Sequence, residues 1–498
     1  MIYGRQILKN ERVNVYMGKR SLRNKVFSGV FWRFGEQISS QLVAFIVSIV
    51  LARLLTPRQY GLVAIVTVFI TIANVFITES FSKALIQKKD SNSEDFSSVF
   101  FFNIFFSWIV YFIVFFTAPL IAKFYNAAIL IPVTRTLALI IPIAGINSIQ
   151  QSYVSKTMQF QRFFWSTLIG TIVSGIVGIA MAYKGFGIWS LVSQQIVNNL
   201  MNTLVLWFTV RWRPTLEFNL QELKVLISFG WKVLLTNLIN TFYDNIKSLI
   251  MGKIYSSEAL AFYNRGVNYP SLIVSNVTIS LDSVLFPALS EIQDDRGKIK
   301  RAIRKSISVT TYIIFPLMAG LAGVAHNLIG WMLTDKWLPA VPYMQIECLV
   351  FALYPINITN LQAILAVGKS NTYLRLNIIK KGIGFLCVFL AIPFGPFVMA
   401  ATDILVGFLA IFTNVFANKA LFNYSIKELN SDCFKNAMMS LIMFILVLSV
   451  GNLTIFINSQ VFVLIIQLLI GVVSYLLLSI IFKSSEYYYL LNILKEMI

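Results

Sequence analysis

Residues 29–45, GVFWRFGEQISSQLVAF, place an arginine and a glutamate inside an otherwise apolar run. Arg33 and Glu36 are three residues apart, so a helix brings both side chains to one face. Further polar residues follow on that same face: Gln37, Ser40, Gln41 and Ser48. A guanidinium binds phosphate oxygens through paired N–H donors, and a carboxylate binds protons or cations. The face therefore carries groups suited to holding an anion and a coupling ion.

Two later apolar stretches carry polar faces of the same kind. In residues 225–254 the face consists of Asn237, Asn240, Thr241, Asp244 and either Lys247 or Ser248. In residues 259–287 it consists of Arg265, Asn268, Ser271, Ser275 and Asp282. Lys232 and Arg135 are two further cations within or beside apolar stretches. Because cations outnumber carboxylates in this set, it predicts binding of an anion, and phosphate is the best match to guanidinium.

A charge at the centre of a lipid-exposed helix costs about 3 kcal/mol on insertion scales, so these faces should turn away from lipid. Two interpretations remain open. In the first, Arg33 pairs with Glu36 and Asp244 pairs with Lys247 as local structural ion pairs, or the side chains extend from near helix ends. In the second, the polar faces of the first, second, seventh and eighth helices line an aqueous cavity between two halves of the protein.

The cavity interpretation assigns a role to each polar side chain. The expected substrate-binding cations are Arg33, Arg265, Lys232, Lys247 and Arg135. The expected ion-coupling or cavity carboxylates are Glu36, Asp244 and Asp282. The expected polar lining is Gln37, Ser40, Gln41, Asn237, Asn240 and Asn268.

The composition indicates a membrane protein. Of 498 residues, 57% are hydrophobic and 12% are charged, with a mean hydropathy of +0.75, whereas soluble domains are about 25% charged. Helix-length apolar blocks, instead of short alternating segments, predict an all-α integral membrane protein. The net charge of +20 reflects basic loops on one side of the membrane, so we expect no nucleic-acid partner.

Apolar runs of about 20 residues predict fourteen transmembrane helices. They are expected at residues 25–53, 59–84, 96–122, 129–155, 163–183, 187–210, 225–254, 259–287, 303–333, 341–367, 372–394, 396–420, 434–456 and 460–482. The domains are a basic N-terminal tail at 1–24, a six-helix lobe at 25–210, a connector at 211–224, a six-helix lobe at 225–420, a connector at 421–433, two further helices at 434–482 and a C-terminal tail at 483–498.

A faint internal repeat supports two lobes. LARLLTPRQYGLV (51–63) aligns with MGKIYSSEALAFY (251–263), and FSKALIQKKD (81–90) aligns with FPALSEIQDD (286–295). Six helices per repeat give the two lobes the same orientation, as a parallel pseudo-repeat. Thirty of the 41 Lys and Arg residues fall in alternate loops, so both termini are expected to be cytoplasmic.

Motifs for catalysis are missing from the sequence. The segment AILAVGKS (363–370) has alanine where a phosphate-binding loop needs its first glycine. Cys348, Cys387 and Cys433 lack metal or redox spacing, and the lone His326 lies in an apolar run. We therefore expect a protein that is not an enzyme, with no catalytic residues, no metal site and no cofactor.

Several blocks of the sequence resemble one family of transporters. These are LARLLTPRQYGLVA, ALIQKKD, APLIAKFY, GFGIWSLV with RWRP after it, ISFGWKVLLTNLINTFYDN and LFPALSEIQDD. In order and spacing, from about residue 20 to 430, they resemble the polysaccharide-exporter branch of the MOP flippase superfamily, which includes O-antigen, colanic-acid and teichuronic-acid exporters.

The resemblance implies a MATE-like fold of fourteen helices. It further implies a flippase in the bacterial cytoplasmic membrane that moves an undecaprenyl-diphosphate-linked oligosaccharide by alternating access, with polysaccharide polymerase or export machinery and membrane lipids as partners. Related lipid II flippases use cavity arginines on the first and eighth helices, where Arg33 and Arg265 fall. Without a nucleotide motif, the expected energy source is an ion gradient of H⁺ or Na⁺, the membrane potential or product removal.

Three alternatives to the flippase differ from it in what they require of the sequence. An ion-coupled multidrug antiporter on the same fold would favour an acidic cavity, whereas this set of residues is net basic. A membrane glycan polymerase would need a large extracytoplasmic loop with catalytic residues, and the predicted loops are short. A non-transporting scaffold would leave the polar helix faces unexplained.

Overall fold

The computed structural model describes residues 28–29, 31–78, 85, 93–216, 219–451 and 459–497, without the side chains of 220–229, 278–284, 494 and 497. In the first half of this described part, the helices are α1 (Phe31–Leu54), α2 (Pro57–Thr78), α3 (Ser93–Phe124), α4 (Leu130–Leu137), α5 (Ile140–Lys156), α6 (Gln161–Tyr183), α7 (Ile188–Thr209) and α8 (Leu220–Ile250). The expected N-terminal tail, 1–24, and the side chain of Asp282 lie outside the described residues.

The second half of the chain begins after a π-helical turn at Met251–Tyr255. Its helices are α9 (Ser257–Glu291), α10 (Arg296–Leu333), α11 (Val341–Ala366), α12 (Ser370–Ala391), α13 (Pro396–Phe422), α14 (Ile426–Gly451), α15 (Gln460–Ile481) and α16 (Ser485–Met497). Short 3₁₀ turns at Asp335–Ala340 and Ile392–Phe394 precede α11 and α13. The described residues contain no strand, which confirms the all-α prediction.

Eleven helical segments of the described chain are long and apolar enough to cross a membrane. The long helices outside that group are α7, α8 and α9, in which polar residues interrupt the apolar sequence. Each of the fourteen expected helices has a helical counterpart, so a MATE-like count is compatible with the structure. That all fourteen cross the membrane stays a prediction.

The expected fourth helix, 129–155, is interrupted between α4 and α5 at Ala138 and Leu139. The interruption lies four residues before Pro142, whose ring clashes with the carbonyl of residue i−4 in a continuous helix. The expected C-terminal tail, 483–498, also differs, because residues Ser485–Met497 form α16.

The chain forms two compact units, Met1–Lys253 and Ile254–Ile498. The sequence instead predicts a connector between lobes at 211–224. This segment is fixed to the first unit, because the backbone N–H of Thr215 donates to Ser97 Oγ at 3.0 Å and the indole of Trp212 donates to Ser93 Oγ at 3.3 Å. The chain therefore stays with the first unit beyond the predicted connector.

Helix α8 also packs within the first unit, beside α2 and α3. Near its end, the carbonyl of Leu249 accepts a hydrogen bond of 3.2 Å from the Tyr125 hydroxyl, which lies between α3 and α4. Burial raises the pKa of Tyr125 to about 12, which keeps this phenol protonated as a donor. The first unit thus contains α1 to α8.

In the second unit, buried amides join the helices. Asn414 Nδ2 of α13 donates to Asn357 Oδ1 of α11 at 3.0 Å, and Asn418 Nδ2 donates to Asn360 Oδ1 at 2.5 Å. Hydrogen bonds between helices restore partners to polar groups that water cannot reach. The pair α11 and α13 is therefore held by two asparagine bonds one turn apart.

Buried polar contacts also hold α14 and α15 against α10. Gln467 of α15 accepts a hydrogen bond of 2.9 Å from Asn327 Nδ2 of α10 and donates to the carbonyl of Val447 in α14 at 2.9 Å. The Tyr312 hydroxyl of α10 hydrogen-bonds to Ser479 Oγ of α15 at 2.9 Å. The last two long helices are therefore an integral part of the second unit.

We expect Gln467→Leu to destabilise the second unit, because it leaves the Asn327 amide and the Val447 carbonyl without their buried partner. The expected loss is about 1–2 kcal/mol, read as a lower midpoint of thermal unfolding of the purified chain in detergent. The matched control is Gln460→Leu at the exposed start of α15. Equal midpoints for both variants would contradict the role of Gln467.

Candidate functional site

Arg33 lies in the first turn of α1 and is held from two sides. Its Nη1 donates to Glu36 Oε2 at 2.9 Å, which is the local i,i+3 ion pair that the sequence left open. Its guanidinium carbon lies 4.1 Å from the ring centroid of Phe163 in α6, a cation–π arrangement that fixes the plane of the group. The Arg33 side chain nevertheless remains 47% exposed.

Glu36 is the more buried partner, with 13% of its side chain exposed. Its Oε1 accepts a hydrogen bond of 2.8 Å from Thr167 Oγ1 of α6, while Oε2 faces Arg33. The two carboxylate oxygens therefore have different partners on two helices. This bonding orients Glu36, which in turn orients the guanidinium.

Close packing of α1 on α6 makes that bond possible. A Cβ at Gly175 would lie 2.4 Å from Val47 Cγ2, so a larger residue requires the Val47 side chain or the two helices to shift. Thr167 lies two turns before Gly175 on α6. Gly175 therefore contributes to the close packing of α1 on α6, the helix that carries Thr167.

The remaining polar side chains of the α1 face are half-buried. Ser40 Oγ donates to the backbone carbonyl of Glu36 at 2.6 Å, a bond within its own helix. Gln37 and Gln41 are also half-buried, so the expected polar strip from Arg33 to Gln41 lies along one helix. Whether this strip contacts substrate stays a prediction.

The polar residues expected on α8 differ in solvent exposure. Lys247 is buried, Asn237 and Asn240 are half-buried, and Lys232 and Asp244 are exposed. The structure thus places these five residues on one helix of the first unit.

Arg135 is directed toward α3 from the short helix α4. Its Nε donates to the carbonyl of Phe115 at 3.4 Å, and its guanidinium carbon lies 4.2 Å from the centroid of the Phe115 ring. Both contacts involve one residue and use the flat face and edge of the guanidinium. This side chain is therefore a packing contact between α3 and α4 in this state.

Arg265 in α9 is buried, with 6% exposure, and its guanidinium carbon lies 5.2 Å from the Trp337 ring centroid. Asn268, in the next turn, is exposed. At the adjacent Gly266, a Cβ would lie 2.7 Å from the backbone nitrogen of Met344. Helix α9 therefore approaches the backbone of α11 closely, and Arg265 is enclosed at this crossing.

Two carboxylates near this crossing were missed from the sequence. Glu347 of α11 is buried, Asp403 of α13 is half-buried, and both lie close enough to Tyr263 of α9 to interact with its phenol electrostatically. Each is a lone acidic residue in a predicted membrane helix, in IECLVF and ATDILVG. A charge in a lipid-exposed helix is costly, so the argument that singled out Glu36 applies equally to these two residues.

Among the described residues, no three His, Cys, Asp or Glu side chains group around a common point. The candidate residues are charged side chains within helices, held by hydrogen bonds or by contacts with aromatic rings. In the first unit Arg33 is an exposed guanidinium, and in the second unit Arg265 and Glu347 are buried near α9, α11 and α13.

Comparison with known proteins finds a matching family and relatives named for the biosynthesis of polysaccharides. A family described as polysaccharide biosynthesis protein matches residues 50–342. The lipopolysaccharide biosynthesis protein WzxC of Escherichia coli (strain K12) is 25% identical over 78% of this chain and 79% of that protein. The teichuronic acid biosynthesis protein TuaB of Bacillus subtilis (strain 168) is 23% identical over 70% of this chain and 73% of that protein.

Solved structures share the fold. The lipid II flippase MurJ, in an inward closed conformation, has a TM-score of 0.71 at 18% identity and covers 91% of this chain and 98% of its own. An inward-facing multidrug resistance transporter of the MATE family has a TM-score of 0.55 at 14% identity and covers 78% and 96%. The MATE-like fold expected from the sequence is thereby confirmed.

We expect the Glu36 and Thr167 side chains to be energetically coupled. In a double-mutant cycle of Glu36→Gln and Thr167→Val, the coupling should be about 1–2 kcal/mol in thermal unfolding, since hydrogen bonds to charged groups are stronger than neutral ones. The control is Thr171→Val, whose hydroxyl donates to the Thr167 carbonyl in its own helix. Additive effects in the Glu36–Thr167 cycle would refute the coupling.

Proposed function

The chain belongs to the polysaccharide biosynthesis protein family, and from this membership we propose that it is a flippase, a transporter and not an enzyme, that moves a lipid-linked oligosaccharide across the bacterial membrane. The resemblance to MOP-superfamily polysaccharide exporters is confirmed by the matching family and by relatives named for polysaccharide biosynthesis. The substrate we propose is an undecaprenyl-diphosphate-linked oligosaccharide, destined for cell-surface polysaccharide.

The observation that carries the proposal is that the Arg33 guanidinium is both oriented and exposed. Its guanidinium is oriented by Glu36 and Phe163, yet about half of the side chain is exposed. Within the described chain, its single hydrogen bond goes to Glu36, so further N–H donors remain for a ligand. Because phosphate oxygens pair well with such a donor fork, we assign Arg33 as a contact of the substrate diphosphate.

Arg265 has the second role in this mechanism. It is enclosed beside Trp337 in this state, so a contact with substrate requires the second unit to rearrange. Alternating access supplies such rearrangements, since each conformation exposes a different set of side chains. We therefore propose that Arg265 binds the diphosphate in a state other than this one, while Lys232, Lys247 and Arg135 contribute positive potential.

An ion gradient is the energy source we propose. The expected coupling carboxylates are Glu36, Asp244 and Asp282, to which the buried Glu347 is added. A carboxylate that exchanges a proton or Na⁺ between conformations would favour one direction of transport. The proposed location is the cytoplasmic membrane with both termini in the cytoplasm, next to the polymerase or export machinery that consumes the flipped unit.

We expect Arg33→Gln and Arg265→Gln each to reduce surface polysaccharide by about tenfold or more, as removing a charge-assisted contact costs about 1.5–3 kcal/mol. Lipid-linked oligosaccharide should accumulate on the cytoplasmic face, where its glycan is measured by mass spectrometry. Arg33→Lys should retain part of the activity, because it keeps the charge and loses the fork.

The control for charge removal is Lys184→Gln, an exposed cation after α6 that has no place in the proposed site. Membrane levels of every variant are measured by immunoblot, which separates loss of transport from loss of protein. Normal polysaccharide from both arginine variants, at normal protein level, would exclude the diphosphate assignment.

A further inference from the structure

The first three turns of α10 have three faces that differ sharply in burial. Ile299, Ile303 and Ile307 are fully buried. The inner basic stripe, Lys300 and Arg304, is half-buried, and the outer basic stripe, Lys298, Arg301 and Lys305, is exposed. Spacings of three and four residues keep each set on its own face of the helix.

The inner basic stripe is already neutralised by α14. Arg304 donates to both carboxylate oxygens of Asp432, with Nη2 to Oδ1 at 2.6 Å and Nε to Oδ2 at 3.0 Å. Lys300 Nζ lies 2.7 Å from Glu428 Oε1. These two cations therefore join helices within the protein and are not available to an outside anion.

The outer basic stripe has weaker contacts. Lys298 lies 3.6 Å from Asp295, and both side chains are about half exposed, so this pair contributes little. Lys305 Nζ lies 3.6 Å from the centroid of the Tyr489 ring in α16. Among the described residues, Arg301 has no carboxylate within ion-pair distance. The stripe thus presents three positive charges outward.

Helix α16 packs beside the stripe, where the apolar part of α10 begins. Tyr487 and Leu490 pack on the buried cluster of α10, α14 and α15, whereas Tyr488 and Tyr489 are 47% and 38% exposed. Ser308 donates to Glu486 at the start of α16. From Ser306 to Leu333, α10 has no Lys, Arg, Asp or Glu, so α16 lies where the apolar segment begins, and tyrosine favours that boundary.

We propose that the outer basic stripe and the exposed tyrosines of α16 form a binding surface for anionic phospholipid headgroups. Three outward cations and an amphipathic helix at the same depth match a negatively charged leaflet, where each Lys or Arg near the surface contributes roughly fivefold in affinity. This surface involves none of the residues assigned to transport, so it is independent of the proposed function.

The test compares lipid binding to the full chain, purified in detergent, by native mass spectrometry with phosphatidylglycerol or phosphatidylcholine. The wild type should bind phosphatidylglycerol preferentially, and the preference should fall with salt. The triple variant Lys298→Gln, Arg301→Gln, Lys305→Gln should lose about tenfold or more in phosphatidylglycerol binding. A charge-preserving variant, Lys298→Arg, Arg301→Lys, Lys305→Arg, should keep it.

The matched control neutralises three exposed lysines elsewhere on the same predicted side: Lys369→Gln, Lys419→Gln and Lys427→Gln. It should retain most of the phosphatidylglycerol binding. An equal loss in this control would overturn the proposal, because binding would then follow net charge alone. Displacement of phosphatidylglycerol by an equal concentration of inorganic pyrophosphate would also overturn it, by showing a site for phosphate anions in place of a lipid surface.

Discussion

The constraint on which this structure depends is that a charge or a polar group within an apolar helix must find a partner in the protein. Arg33 has Glu36 and Phe163, Glu36 has Thr167, and Arg265 has Trp337. The same rule governs the amides that join α11 to α13 and α15 to α10. Helix positions follow from these contacts, since apolar side chains alone do not favour protein neighbours over lipid.

Much of the fold follows from apolar run lengths and loop charges. The all-helical architecture and the approximate place of each long helix were predictable, because a membrane fixes the span length and requires internal backbone bonding. The interruption at Ala138 and Leu139 fits Pro142, but Pro119 and Pro355 lie inside continuous helices, so proline alone did not predict it. The grouping of α8 with the first unit was not predictable, because it depends on contacts such as Tyr125 with Leu249, which join residues far apart in sequence.

The candidate site was predictable to a smaller extent. Helical spacing identifies the face that contains Arg33 and Glu36, but it leaves open whether the two form a local ion pair or line a cavity. It does not predict Thr167 or Phe163, since these come from another helix, nor does it show that Arg265 is enclosed while Arg33 is accessible. Glu347 and Asp403 were missed because each stands alone, without the run of polar neighbours that makes a strip visible.

The three faces at the start of α10 have an evolutionary consequence. Each added residue rotates all following side chains by about 100° relative to the preceding ones. A single insertion near residue 300 would carry the isoleucines away from their buried cluster and move the inner cations away from Glu428 and Asp432. This segment should therefore keep its length in related sequences, while its outward positions vary by substitution.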